Sequence, residues 1–297
     1  MTRRLAALAA ALLLATGCSG LPSGSRADTS SSRSPSSPPT SGSPSAPSSA
    51  ASPSGTSSPV AVPRAPGRGA CYRLSIRTLT RPTNGSPPVS CRGPHTARTI
   101  YVGRLDTVVD GHAVAVDSAT VQAQLARVCP RKLAGYLGGS ASARDLSRFN
   151  VVWYSPTLRQ SDQGADWFRC DLVAFAGADT LFRLPGRSLR GVLDRPSGLA
   201  TYGLCGTTAP GARGFQRVIC DRRHSWRAID TIGISGGQRY PGRSAVRRAG
   251  DSACKDRVRA QSADTLKFQY GWEWPTSAQW KRGQHYGYCW APDRGGS

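Results

Sequence analysis

A frame of four cysteines that recurs along the chain constrains the fold more than any other feature. Cys71, Cys91, Cys129 and Cys170 are followed by Cys205, Cys220, Cys254 and Cys289. Successive gaps are 20, 38 and 41 residues in the first frame and 15, 34 and 35 in the second, so the order holds while loop lengths vary. Around the second cysteine of each frame the pattern V-x-C-x-x-x-H-x-x-R-x-I fits Val89 to Ile100 and again Val218 to Ile229. The approach to the fourth cysteine matches too. Trp153-x-x-Pro156 and Trp272-x-x-Pro275 each place the proline 14 residues before it, Gly164 and Gly283 lie six before, and Trp167 and Tyr286 three before. Agreement at so many fixed offsets reads as an internal duplication.

Nine cysteines are present, and the ninth, Cys18, belongs to an N-terminal signal. An even set behind an export signal reads as a disulfide framework, because thiols oxidise outside the cytoplasm. Eight cysteines admit 105 connectivities and each set of four admits three. The favoured pairing is Cys71–Cys91 and Cys205–Cys220, which staple neighbouring strands, with Cys129–Cys170 and Cys254–Cys289, which tie a helix to the last strand. A zinc site would need reduced thiolates at closer spacing. No metal and no cofactor is expected.

Residues 1–18 have the layout of a lipoprotein signal peptide. Arg3 and Arg4 form the positive end, Leu5 to Ala15 an apolar core too short for a mature span, and Ala15-Thr16-Gly17-Cys18 the close. This end resembles the lipobox of bacterial lipoproteins, with Ala15 where Leu is usual. The resemblance implies diacylglycerol on Cys18 (palmitate among its chains) and a protein held at the outer face of the cell membrane. Durable attachment follows from each buried CH₂ contributing about 0.8 kcal/mol. Residues 19–66 are almost all Ser, Pro, Ala, Gly and Thr, with too little apolar mass to offset ordering entropy, and read as a disordered tether.

The rest divides into a unit at 67–180, a Pro- and Gly-containing connector at 181–200 and a unit at 201–297. In the first, Val121, Leu125, Val128, Cys129, Leu133 and Tyr136 share one helical face between Asp117 and Leu137, and Pro130 is expected to break that run. Phe149 to Tyr154 and Trp167 to Ala176 read as strands rich in β-branched and aromatic residues. In the second, Ser244 to Gln261 reads as one helix with Ser244 at its N-cap. The expected class is α+β: two tandem small disulfide-stabilised domains, each a short antiparallel sheet packed with one main helix.

The frame C…V-x-C-x-x-x-H…C…W-x-x-P…G…aromatic-x-x-C resembles the septum-formation domain of actinobacterial membrane-anchored and secreted proteins. Its most specific parts are Cys91 and His95 with Cys170, and Cys220 and His224 with Trp272, Pro275 and Cys289. The resemblance implies two tandem copies, over 67–180 and 201–297, and a link to septation. Family members often carry Tyr before the proline, as in Tyr154-Ser155-Pro156; Glu273-Trp274-Pro275 departs from that pattern.

Basic residues number 39 against 17 acids, a net charge of +22, and all but four of the 39 are Arg. That surplus favours anionic neighbours such as wall polymer or lipid headgroups. Nucleic acid is excluded by export. Arg243 and Arg247 fall on one helical face and are candidates for such contacts. His95 and His224 are candidate binding residues, weighed against a role as anchors of the corner after each second cysteine. Trp280, with Trp290, is a candidate wall of a recognition groove, whereas His112 and His285 read as surface residues. Asp162, Asp166 and Asp171 offer the one carboxylate cluster. No catalytic residue is assigned. The expected function is a non-enzymatic binding or scaffold protein of the cell envelope, meeting wall polymer or division proteins, with a cell-wall-acting enzyme or its regulator as the alternative.

Overall fold

A computed structural model describes residues 61–293. The signal peptide, Cys18 and nearly all of the tether lie outside the described residues. Among the described residues no helix is long and apolar enough to cross a membrane.

The first half opens with β1 (Cys71–Tyr72) and β2 (Ala97–Arg104), then a hairpin of β3 (Val108–Val109) and β4 (His112–Ala113). Helices α1 (Ala119–Leu137) and α2 (Ala141–Asp145) lead to β5 (Phe149–Tyr154), α3 (Leu158–Asp162) and β6 (Trp167–Ala174). Its antiparallel sheet has the order β1-β2-β6-β5. In the second half α4 (Pro196–Tyr202) precedes β7 (Leu204–Gly206), β8 (Arg217–Ile219) and β9 (Trp226–Gly233). There follow α5 (Arg243–Ala249), α6 (Asp251–Gln261), β10 (Gly271–Glu273), α7 (Ser277–Lys281) and β11 (Tyr286–Pro292). The second sheet, also antiparallel, has the order β10-β11-β9-β7-β8.

The two sheets correspond strand for strand: β1, β2, β6 and β5 answer to β7, β9, β11 and β10. The registers correspond as well. Cys71 lies opposite Arg98 as Cys205 lies opposite Arg227, and Trp153 opposite Cys170 as Trp272 opposite Cys289. β8 has only a single bridge as its counterpart, Cys71 to Val89. Four disulfides close the frames: Cys71–Cys91, Cys129–Cys170, Cys205–Cys220 and Cys254–Cys289.

Helix α1 lays Val121, Leu125 and Cys129 against Val151, Phe168 and Cys170 of the first sheet. Ser118 caps it by accepting from the Val121 amide, worth about 1 kcal/mol. It runs unbroken through Pro130. That ring points to solvent, and the carbonyl it leaves without a donor, on Ala126, lies on the same exposed side. The second long helix behaves in the opposite way. The run from 244 to 261 is split at Gly250 into α5 and α6, and Gly242, not Ser244, sits at the start. The Trp272 ring packs directly on Gly250, where any side chain would collide with it. A tertiary contact thus sets that break.

The connector at 181–200 is part of the core. Leu184, Leu189 and Leu193 are buried with Leu137, Phe149 and Leu172 of the first half and with Tyr202 and Ile219. Each such leucine contributes about 1.5–3 kcal/mol through burial. Backbone hydrogen bonds cross the junction too: Leu204 N to Leu146 O at 2.7 Å, Arg148 N to Tyr202 O at 2.8 Å and Ile219 N to Ala176 O at 3.1 Å. The described residues consequently pack as one compact unit.

Candidate functional site

Each histidine motif folds into a corner behind a strand-to-strand disulfide. At the first corner the His95 Nδ1 is 3.0 Å from the carbonyl of Gly93, two residues back. The ring is 1% exposed, and its Nε2 is buried with no hydrogen-bond partner. Nδ1 therefore carries the proton and donates it to Gly93, leaving Nε2 as an unmet acceptor. Arg98, three residues on, donates to the carbonyls of Arg187 and Gly186 at 2.7 and 2.8 Å, which ties the corner to the junction segment.

At the second corner the His224 Nδ1 is 2.6 Å from the Arg222 carbonyl, again two residues back. Here Nε2 has a partner, Asp293 Oδ2, at 3.2 Å. Arg227 Nε reaches the same oxygen at 2.6 Å while its Nη1 donates to Leu199 O. A ring nitrogen of His224 lies within 4.8 Å of the sulfurs of Cys205 and Cys220. Those sulfurs are bonded to each other, so neither offers the thiolate that a metal site requires. With both nitrogens of His224 engaged and His95 sealed from solvent, neither ring presents a base to a bound molecule.

Two grooves open on the surface, the first beside the second corner. One, of ≈ 970 Å³, is lined by Arg227, Ile229, Val258, Lys267, Phe268 and Asp293, so the two ion partners of the second corner stand at its wall while His224 lies behind them. The other, of ≈ 530 Å³, runs past Leu79, Pro82, Gln122, Val152 and Trp153, where the Trp153 indole N–H donates to Gln122 at 3.0 Å.

The remaining candidates separate. Arg243 and Arg247 are exposed on α5, as expected. Trp280 is not a groove residue: it is 1% exposed, its indole N–H donates to Gly237 O, and it stacks on His285 with centroids 4.3 Å apart. Trp290 is buried as well, and its indole N–H donates to Glu273. Their apolar area is worth more inside the second half, whose core has few aliphatic residues, than at its surface. His285, expected at the surface, is half-buried by that same stacking.

Asp162, Asp166 and Asp171 do not form a carboxylate pair. Asp162 is exposed, whereas Asp171 is wholly buried beside Arg169, with Nε and Oδ2 3.1 Å apart. The angle between them is not that of a hydrogen bond, so both atoms lack one. Thr99 donates to the other Asp171 oxygen at 2.7 Å. The Arg169 guanidinium lies 3.7 Å from the Tyr72 ring centroid and 4.9 Å from that of Tyr154. Burial pushes the Asp171 carboxyl up to about 6, against the opposing pull of Arg169 and Thr99. The sequence signal was an Arg-x-Asp inside a run of β-formers; it marks a strand covered on both faces, and every residue of β6 is buried.

Two further stretches carry hydrolase-type spacing. Gly233-Ile234-Ser235-Gly236-Gly237 fits G-x-S-x-G, and Ser252-Ala253-Cys254-Lys255 fits S-x-x-K. A nucleophile elbow needs a strained strand-to-helix turn at the serine. Ser235 instead begins an exposed coil that runs to α5, and Asp110 is the sole non-glycine with positive φ among the described residues. Ser252 and Lys255 both face solvent on α6.

The sequence matches the family model described as septum formation over residues 140–289. That stretch begins at the N-cap of α2 and takes in β5, β6, the junction core and the second sheet as far as Cys289. No curated protein and no solved structure matches the chain.

Proposed function

Because the chain belongs to the septum-formation family, we propose that it is a lipid-anchored, non-enzymatic binding or scaffold protein of the cell envelope that serves septum formation. In this reading Cys18 carries the lipid, residues 19–66 tether the head, and the head lies outside the cytoplasm, meeting wall polymer or division proteins. The four disulfides support an oxidising compartment. The parallel strand orders and registers support an origin by tandem duplication, one copy within 67–180 and the other within 201–297.

The observation that carries the scaffold reading is the shared use of His95 and His224. Each holds the carbonyl two residues back, which fixes the turn after its disulfide. A general base needs a nitrogen within reach of substrate. The rival, a wall-acting enzyme or its regulator, draws on the carboxylate beside His224. Arg227 contends for that same oxygen, so the carboxylate completes an ion cluster and not a catalytic relay.

The test is complementation of a deletion strain with the wild-type gene, Cys18→Ala, and a His95→Asn, His224→Asn double variant. Asn keeps a donor where Nδ1 stood. The double variant, with its four disulfides formed, is expected to place septa normally, and Cys18→Ala to leave the membrane fraction. A well-folded double variant that behaves as the deletion would sink the scaffold reading.

A further inference from the structure

A small hollow of ≈ 130 Å³ sits in the junction between the halves. Three of the residues around it are Arg187, Arg190 and Arg195, and three carry small hydroxyls, Ser188, Ser197 and Thr201. No carboxylate lines it. Arg190 lies 5.0 Å from the Tyr136 ring centroid, and the charge of Arg187 pulls against the burial that raises the Tyr202 hydroxyl. Among the described residues none of the three arginines pairs with an acid. Asp194, the acid next to Arg195 in the chain, accepts from the Gly139 amide at 2.7 Å and does not line the hollow. Asp221 acts on Tyr202 through its charge but is not part of the wall.

Three exposed arginines around one hollow concentrate positive charge there, and an anion held among them offsets their mutual repulsion. The hollow is far smaller than the sites that hold drug-sized ligands, and it suits a single small group. Guanidinium forks match tetrahedral oxyanions, and three of them address more oxygens than a carboxylate has. The frame is also pre-set. Tyr136, near the end of α1, accepts from the Leu189 amide at 3.3 Å and lies 3.2 Å from Ser188 Oγ, while its carbonyl accepts from Gly191 N at 2.8 Å.

We propose that this hollow binds a phosphoryl group, the terminal or bridging phosphate of an envelope component. The wall is built from the segment that joins the two sheets, so the bound anion bridges the end of α1 to α4 and tightens the junction. The site contains neither histidine, although Arg98 of the first corner holds the Arg187 carbonyl, and it does not rest on the scaffold reading.

The test is calorimetric titration of the full-length protein, disulfides closed, with inorganic phosphate against chloride at matched ionic strength. Wild type is expected to bind phosphate saturably. An Arg187→Gln, Arg190→Gln, Arg195→Gln variant is expected to lose at least tenfold in affinity, and an Arg243→Gln, Arg247→Gln variant to lose none. A melting curve in chloride, unchanged from wild type, establishes that the triple variant is folded. Vesicles of phosphatidylglycerol and of phosphatidylcholine form the second arm. Phosphatidylglycerol binding that free phosphate displaces identifies a lipid source; phosphate binding without vesicle binding identifies a soluble or polymeric one. No saturable phosphate uptake by wild type, or equal uptake by the folded triple variant, overturns the proposal.

Discussion

At the first corner His95 Nε2 meets no hydrogen-bond partner, while at the second the same atom of His224 lies 3.2 Å from Asp293. The difference traces to single positions. Asp293 stands four residues after Cys289, and the residue four after Cys170 is Ala174. Arg98, lacking a carboxylate, turns its fork to two backbone carbonyls, whereas Arg227 divides its donors between Asp293 and Leu199. What the corners share is the Nδ1 contact to the carbonyl two residues back. The far side of the ring varies, the near side does not, so the near side is what the fold requires. A second contrast lies beside the fourth cysteines. Arg169 and Asp171 flank Cys170 as a buried ion pair, whereas Tyr288 and Trp290 flank Cys289 and make an aromatic core.

Three perturbations sharpen this comparison, from the largest effect to the smallest. Replacing Cys129 and Cys170 by Ala, or Cys254 and Cys289 by Ala, opens loops of 41 and 35 residues and costs about 4 kcal/mol each; opening the 15-residue Cys205–Cys220 loop costs about 3 kcal/mol. Urea unfolding measures these losses. Clearly unequal costs for the two helix-to-strand links would show that the halves, though alike in topology, are not alike in energy.

Asp171 concerns the first half alone. Burial raises its carboxyl from 3.8 to about 6, so the folded state holds that proton more tightly than the unfolded chain. Its contribution to stability is full below pH 3.8 and is lost as pH rises through about 6, an amount of about 3 kcal/mol. The urea midpoint of wild type measured against Asp171→Asn should fall across that window, because Asn cannot ionise. Parallel pH profiles for the two proteins would remove the buried charge from the account.

The smallest effect separates the corners. His95→Asn and His224→Asn both keep the near-side donor and lose similar volume. Only the second gives up a hydrogen bond to Asp293, which Arg227 goes on holding, so it should cost about 0.5–1.5 kcal/mol more. Equal losses in chemical denaturation would mean that the Asp293 side is inconsequential and that the corners are equivalent.

The cysteine spacing made much of this fold legible, since a repeated frame fixes which strands and helices must meet. The apolar face of α1 was legible for the same local reason, a period of 3.6 over five turns. What escaped was set by tertiary contact. Gly250 divides a helix because the Trp272 ring rests on it, and Pro130 fails to divide one because its ring faces solvent. The segment from Leu184 to Leu193 shows no period because its leucines plug a junction and do not line a face. Trp280, expected on a groove wall, and Asp171, expected in a carboxylate cluster, are both core residues. An indole can satisfy its N–H on a backbone carbonyl, and a carboxylate can be buried between an arginine and a threonine. The histidine pairing to a carbonyl two residues back involves no spacing that sequence could reveal; only the matched positions hinted at it.

Every disulfide closes within its own half, while the leucines of the junction pack against both. A protease that cuts the exposed turn near Arg195 would therefore release nothing. It would leave two chains with no covalent link, each keeping two closed loops, held together by the shared core alone. The molecule is in that sense a ready-made fragment-complementation pair, whose pieces could be produced apart and reassociate only where both are present.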